Sequence, residues 1–68
     1  MDGPELKEAL IKRYPVTCNG IPYSYISAII YRSRGGRIVV SAELMDVNSN
    51  SVTVAEAKRI ERSPNEVQ

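Results

Sequence analysis

Residues 23–47 read Tyr-Ser-Tyr-Ile-Ser-Ala-Ile-Ile-Tyr-Arg-Ser-Arg, then Gly35-Gly36, then Arg-Ile-Val-Val-Ser-Ala-Glu-Leu-Met-Asp-Val. Two runs rich in Ile, Val and Tyr flank a Gly-Gly pair, the pattern of a β-hairpin. Glycine reaches positive φ without steric penalty, as a type I′ or II′ turn requires. Two registers are open. A two-residue loop sets Arg32 opposite Val39, Ile30 opposite Ser41, Ala28 opposite Glu43 and Ile26 opposite Met45. A three-residue loop sets Ile30 opposite Ala42 and Ala28 opposite Leu44. Slipping by one residue changes which face of the partner strand lies beside a given face. The second register is the more attractive, since it gathers Ile26, Ala28, Ile30, Ile38, Val40, Ala42 and Leu44 as a core face. The opposite face then carries Tyr25, Ser27, Ile29, Tyr31, Val39, Ser41, Glu43 and Met45. A wetted sheet face is normally polar. This one is mixed, so a bend of the sheet, a helix or another chain is expected to cover it.

The chain has 68 residues, enough for one domain. Chains of this size bury only about 60% of their unfolded surface, so stability is marginal without staples or association. A single Cys and no His exclude an intrachain disulfide and a conventional one-chain zinc site. Nine Lys and Arg balance eight Asp and Glu, so bulk charge does not predict nucleic-acid or membrane binding. No apolar run approaches the roughly 20 residues of a membrane span. Met-Asp-Gly-Pro-Glu lacks the features of a secretory signal. With one lone thiol, a cytoplasmic location is the expectation. Phe and Trp are absent and four Tyr supply all aromatic area, which argues for self-association.

Residues 1–3 read as a flexible start and residues 4–14 as a helix. Pro4 suits a first helical position. Glu5 and Glu8 lie towards the positive end of the helix dipole, and Lys12 and Arg13 towards the negative end. Leu6, Ala9, Leu10 and Tyr14 form a stripe at helical spacing, and Pro15 ends the segment. Residues 15–62 read as the sheet domain. Val16–Cys18 is a short strand, Asn19-Gly20 a type I′ turn pair, and Ile21 to Tyr25 the returning strand, with Pro22 marking an edge or bulge. The long strand 23–34 is expected to bend where Ser24, Ser27 and Ala28 are small. Asn48 to Ser51 is a loop and Val52–Val54 a strand. Residues 55–62 fit either a helix, from the capping-box pattern Thr53 to Glu56, or a 3₁₀ turn at 55–58 followed by a closing strand 59–62. The turn and strand are favoured. Residues 63–68 read as a disordered tail.

The resulting class is mainly β with one N-terminal helix, either a small, strongly bent antiparallel sheet or a five-stranded barrel. Over residues 16–62 the strand rhythm resembles SH3-like barrels, by architecture only. Tyr-Ile-Ser-Ala-Ile-Ile-Tyr-Arg, with Ser-Ala-Glu-Leu-Met-Asp and Asn-Ser-Val-Thr-Val-Ala downstream, resembles small uncharacterised proteins of phages and prophages of Firmicutes, over residues 16–57. That resemblance implies origin and no activity.

Cys18 is the one candidate nucleophile, but it has no His to activate it, and it reads as a buried strand residue. Glu43 and Asp46 fall on opposite faces of a strand, which disfavours an acid–base pair. No enzyme and no cofactor are expected. Arg32, Arg34 and Arg37 crowd the hairpin tip. Such a tip either resists edge-to-edge pairing or binds carboxylate or phosphate. Lys58, Arg59 and Arg62 form a second basic patch. Tyr23, Tyr25 and Tyr31 are expected to share a face and, with Ile29, Val39 and Met45, to form an oligomer or partner interface. The functional expectation is a non-enzymatic, self-associating interaction module, an assembly adaptor or host-protein inhibitor. The alternative is a binder of nucleic acid or a nucleotide-derived signal at the arginine tip.

Overall fold

Helix α1 spans Gly3–Lys12 and begins with a reciprocal cap. The Asp2 carboxylate accepts from the Glu5 N–H at 3.0 Å, and the Glu5 carboxylate accepts from the Asp2 N–H at 3.0 Å. This capping box satisfies two donors that a helix start leaves unpaired. At the other end Arg13 turns left-handed, φ 58°, and its N–H donates to Ala9 O. The chain therefore leaves the helix two residues before Pro15. Lys12 reaches back to Glu8 at 3.3 Å. That hydrogen bond, with the charge of Tyr14 next, holds the ammonium above its ordinary pKa. Both side chains are about half exposed, so the pair adds little to stability.

The computed structural model describes residues 1–63. Six strands follow the helix: β1 (Val16–Cys18), β2 (Ile21–Tyr23), β3 (Tyr25–Arg34), β4 (Arg37–Met45), β5 (Val52–Glu56) and β6 (Ile60–Arg62). They form two three-stranded antiparallel sheets, ordered β2-β1-β6 and β3-β4-β5. The architecture is mainly β with one N-terminal helix, and the ladders do not close into a barrel among the described residues. The reasons are local. At Ser24 the chain leaves β1's ladder and its N–H donates to Met45 O at 2.8 Å, while Ser24 Oγ donates to Asp46 O. A 3₁₀ turn, Ala57–Arg59, then carries the chain away from the second sheet, so β6 pairs with β1 rather than β5. Residues 55–62 are a turn followed by a strand and not a helix, but the turn falls at Ala57–Arg59 and the strand at Ile60–Arg62, because Ala55 and Glu56 still pair with Ala42 and Ser41. The expected tail lies outside the described residues except for Ser63, whose N–H donates to Pro15 O.

Both hairpin turns are left-handed at their two central residues. Asn19 and Gly20 have φ 54° and 81°, and Gly35 and Gly36 have φ 58° and 80°. This is the type I′ requirement, and it makes both loops two residues long. Arg34 therefore pairs with Arg37, Arg32 with Val39, Ile30 with Ser41 and Ala28 with Glu43. The three-residue register is corrected accordingly. Between Ala28 and Ile26 a β-bulge shifts the pairing, so that Ile26 stands opposite Leu44 and Tyr25 opposite Met45. Ser27 is the extra residue. Its Oγ lies 3.1 Å from Glu43 Oε1 and 3.5 Å from Glu43 O, donating to that residue.

The bulge changes which residues face inward. Directly paired residues share a face, so Ile26, Ile29, Tyr31, Val40, Ala42 and Leu44 point one way. Ala28, Ile30, Arg32, Val39, Ser41, Glu43 and Met45 point the other. Ile29, not Ile30, packs against the core. The fully buried core joins Leu6 and Ala9 of the helix, Val16, Cys18 and Ile60 of the first sheet, and Ile26, Ala42 and Leu44 of the second. Ile38 lies on the inward side yet is 66% exposed, at the rim of an open hollow that it lines with Met1, Asp2 and Gly3 at the helix start and with Ala57 and Lys58 of the 3₁₀ turn.

The two registers predict different stabilities. Ile26→Ala should cost about 2–5 kcal/mol in urea unfolding, the usual loss for a fully buried Ile. Ile30→Ala, outside the core, should cost about 1 kcal/mol or less. Equal losses at both positions would restore the three-residue register.

Candidate functional site: the hairpin arm

Every residue from Tyr31 to Ile38 is exposed. This end of the β3–β4 hairpin is an arm, and the molecule is elongated, 42 × 24 × 21 Å. The type I′ turn gives the arm two unlike sides. Arg34 and Arg37 are a direct cross-strand pair and Arg32 lies two residues further on, so all three guanidiniums belong to the outer face. Val39 is half-buried beside them and Ser41 is buried at their base. Arg32, Arg34, Val39, Ser41, Val54 and Glu56 line one shallow hollow on this face. The reverse side carries Tyr31 opposite Val40 and Ser33 opposite Ile38, with Tyr31 57% and Ile38 66% exposed.

Glu56 lines the same hollow as Arg32 and Arg34, yet the tip arginines make no ion pair with it. Among the described residues the ion pairs are Lys12 with Glu8 and both Lys58 and Arg59 with Glu56. Arg32, Arg34 and Arg37 are in none of them. Like charges directly opposite each other on neighbouring strands are destabilising. The second basic patch is differently placed. Lys58 and Arg59 lie 3.6 and 4.0 Å from Glu56, and Arg62 stacks 3.8 Å above the Tyr14 ring. It is tied into the fold, unlike the tip.

The predicted tyrosine face does not exist as one surface. Tyr23 belongs to β2 in the other sheet and packs against the core. Tyr25 pairs with Met45 on the outer face, and Tyr31 pairs with Val40 on the inner side. Met45 and Val40 are five residues apart on an unbroken strand, so they point in opposite directions. The bulge at Ser27 is the cause. Arg13, at the helix end, lies 4.5 Å over the Tyr25 ring, which commits that ring to an intrachain contact. Ile29 belongs to the core periphery, while Val39 and Met45 stay half-buried on the outer face.

Cys18 is 6% exposed within the core. Among the described residues no group of three or more His, Cys, Asp or Glu side chains is placed to hold a metal, and no helix is long and apolar enough to cross a membrane. What sequence reasoning missed is the exposure of Ile38, which it assigns to the core face; Tyr31, an expected interface residue, is exposed on the same side of the arm as Ile38 and not beside Tyr25. No protein-family model matches the chain, nor does any curated protein or solved structure.

If the arginine pair is kept at a cost, reversing one charge should stabilise the fold. Arg37→Glu places a carboxylate opposite Arg34 and is expected to raise stability by about 0.2–1 kcal/mol, read as a higher Tm at low salt. An unchanged Tm would mean that the guanidiniums splay apart in solution without mutual repulsion.

Proposed function

We propose that this chain is a non-enzymatic protein-interaction module whose hairpin arm docks an acidic, partly apolar protein surface. In keeping with the phage resemblance, it would serve as an assembly adaptor or as an inhibitor that occupies a host protein in the cytoplasm. The two bent sheets are taken as the halves of an SH3-like module, and self-association belongs to the same reading. The observation that carries it is the arginine trio on one face of an exposed arm, without ion-pair partners among the described residues.

Guanidinium presents a planar fork of donors that matches carboxylate in bidentate geometry. A tip of this kind gains charge-assisted hydrogen bonds when a carboxylate-bearing partner arrives, and it loses its own like-charge repulsion. The chain's formal net charge is only +1, too small to draw in a polyanion from a distance. Recognition then rests on local match, and the exposed Tyr31 and Ile38 supply apolar contact on the reverse of the arm. A non-enzymatic role fits a chain with no His and one buried Cys. The second reading is a binder of nucleic acid or a nucleotide-derived signal, favoured by Tyr31, whose exposed ring can stack on a base on the reverse of the arm while the arginines of the other face meet phosphate.

Fluorescence anisotropy separates the two. A labelled peptide alternating Glu with Leu should bind, more weakly as salt rises, and the combined change Arg32→Ala, Arg34→Ala, Arg37→Ala should abolish binding. A labelled single-stranded oligonucleotide should not bind. Oligonucleotide binding with a steep salt slope, without peptide binding, replaces the first reading by the second. Binding of neither leaves the arginines as guards against edge pairing and ends both readings.

A further inference from the structure

We infer that β5 is a docking edge for a second copy of the same strand, giving a two-fold dimer in which the β3-β4-β5 sheet continues as β5-β4-β3 of the partner. This deepens the self-association part of the reading above and is independent of the arm's ligand. The argument begins with the edges. Among the described residues four strands pair on one side only: β2, β6, β3 and β5. An unpaired edge invites another strand unless something blunts it. Pro22 sits in the middle of β2 and cannot donate. Strand β6 has three residues, two of them the charged Glu61 and Arg62. Helix α1 lies against β3, and the far end of that strand is the arginine tip. Among these edges β5, Val-Thr-Val-Ala-Glu, is the one longer than three residues that carries neither proline nor a basic residue, and its single charge, Glu56, stands at its end. It begins with β-branched residues that favour strand geometry, and Val52 and Val54 are 44% and 52% exposed.

Two further features specify the occupant. A cleft opens beside this edge, walled by Cys18, Ile21 and Tyr23 of the β1–β2 hairpin and by Val54 and Arg59. Ile21 is 54% exposed there, so an added strand would find apolar contacts as well as backbone hydrogen bonds. The charges at the two ends of β5 are opposite. Asp46 is held beside its start by the Asp46 N–H to Ser51 O bond, and at its end the exposed Lys58 and Arg59 outnumber Glu56, the last residue of β5, with which both pair. Antiparallel pairing about a two-fold axis sets the start of one strand alongside the end of the other. Acidic and basic ends then meet twice, whereas parallel pairing would set like charges together. A strand whose two ends complement each other is suited to its own copy. The two-fold also keeps Val52 and Val54 of both copies on one face, as neighbours across the new ladder.

The test is light scattering during size exclusion over a concentration series up to submillimolar. The wild-type chain should approach twice the single-chain mass of 7.6 kDa. Val54→Lys and, separately, Val52→Lys should return it to one chain with an unchanged circular-dichroism spectrum. Ile38→Lys on the arm, and the triple arginine-to-alanine variant, should keep the dimer. Failure of the peptide-binding reading would leave these masses unaffected. Should either lysine variant fail to fold, hydrogen exchange of the wild type decides, with amides of residues 52–56 becoming more protected as concentration rises. A single-chain mass throughout, a dimer that survives both lysine changes, a larger ring, or protection in 52–56 that ignores concentration would each overturn the proposal.

Discussion

The phase of β3 against β4 governs everything else in this molecule. A two-residue type I′ turn at Gly35-Gly36 starts the ladder with Arg34 opposite Arg37. Continued unchanged, that ladder would set Ile26 opposite Met45 and place it on the wrong side. The bulge at Ser27 corrects this by one residue and brings Ile26 against Leu44, both fully buried. Tip and base of the same hairpin thus obey different registers. The tip can present three arginines on one face while the base presents a continuous apolar face to the helix and the other sheet.

With so few residues, the core is assembled from single contributions. Leu6 and Ala9 come from one helix face, Val16 and Cys18 from a three-residue strand, and Ile60 from another. Each element is too short to persist alone, and none would bury its apolar side without the others. The capping box at Asp2 and Glu5 and the left-handed exit at Arg13 keep the helix at a length that spans this core. The arm is the part of the chain that the core does not reach. Its residues from Tyr31 to Ile38 are all exposed and lie outside the core, which leaves their chemistry available for other work.

Charge is distributed in the same divided manner. In the body five of the six basic side chains are tied down: Lys12 by Glu8, Lys58 and Arg59 by Glu56, Arg13 and Arg62 over tyrosine rings. At the tip they are left without ion-pair partners among the described residues. A near-neutral whole therefore conceals a local concentration of positive charge at the tip of the arm. The same contrast distinguishes the edges, three of them blunted by proline, charge or helix, and β5 left plain.

Local chemistry was legible in the residues themselves. Asn19-Gly20 and Gly35-Gly36 announced left-handed turns, Ser24 and Ser27 marked the places where a long strand bends and bulges, and Leu6 and Ala9 marked the buried side of a helix. The Asp2 and Glu5 capping box has the same local character, a capping carboxylate three positions before a Glu, although by sequence residues 1–3 read as a flexible start. Register was not legible, because Ile29 and Ile30 are adjacent and equally apolar, and only a bulge several residues away decides which of them turns inward. For the same reason Tyr25 and Tyr31 looked like neighbours on one face and lie on opposite ones. The sequence by itself determined the helix, the places of the two glycine turns and the arginine-rich tip, since these depend on φ preferences and on residues close in the chain. Tertiary structure alone decided the pairing phase, the division into two sheets and the exposure of Tyr31 and Ile38. Those depend on which distant surfaces meet, and on where the support of the helix and the opposing sheet comes to an end.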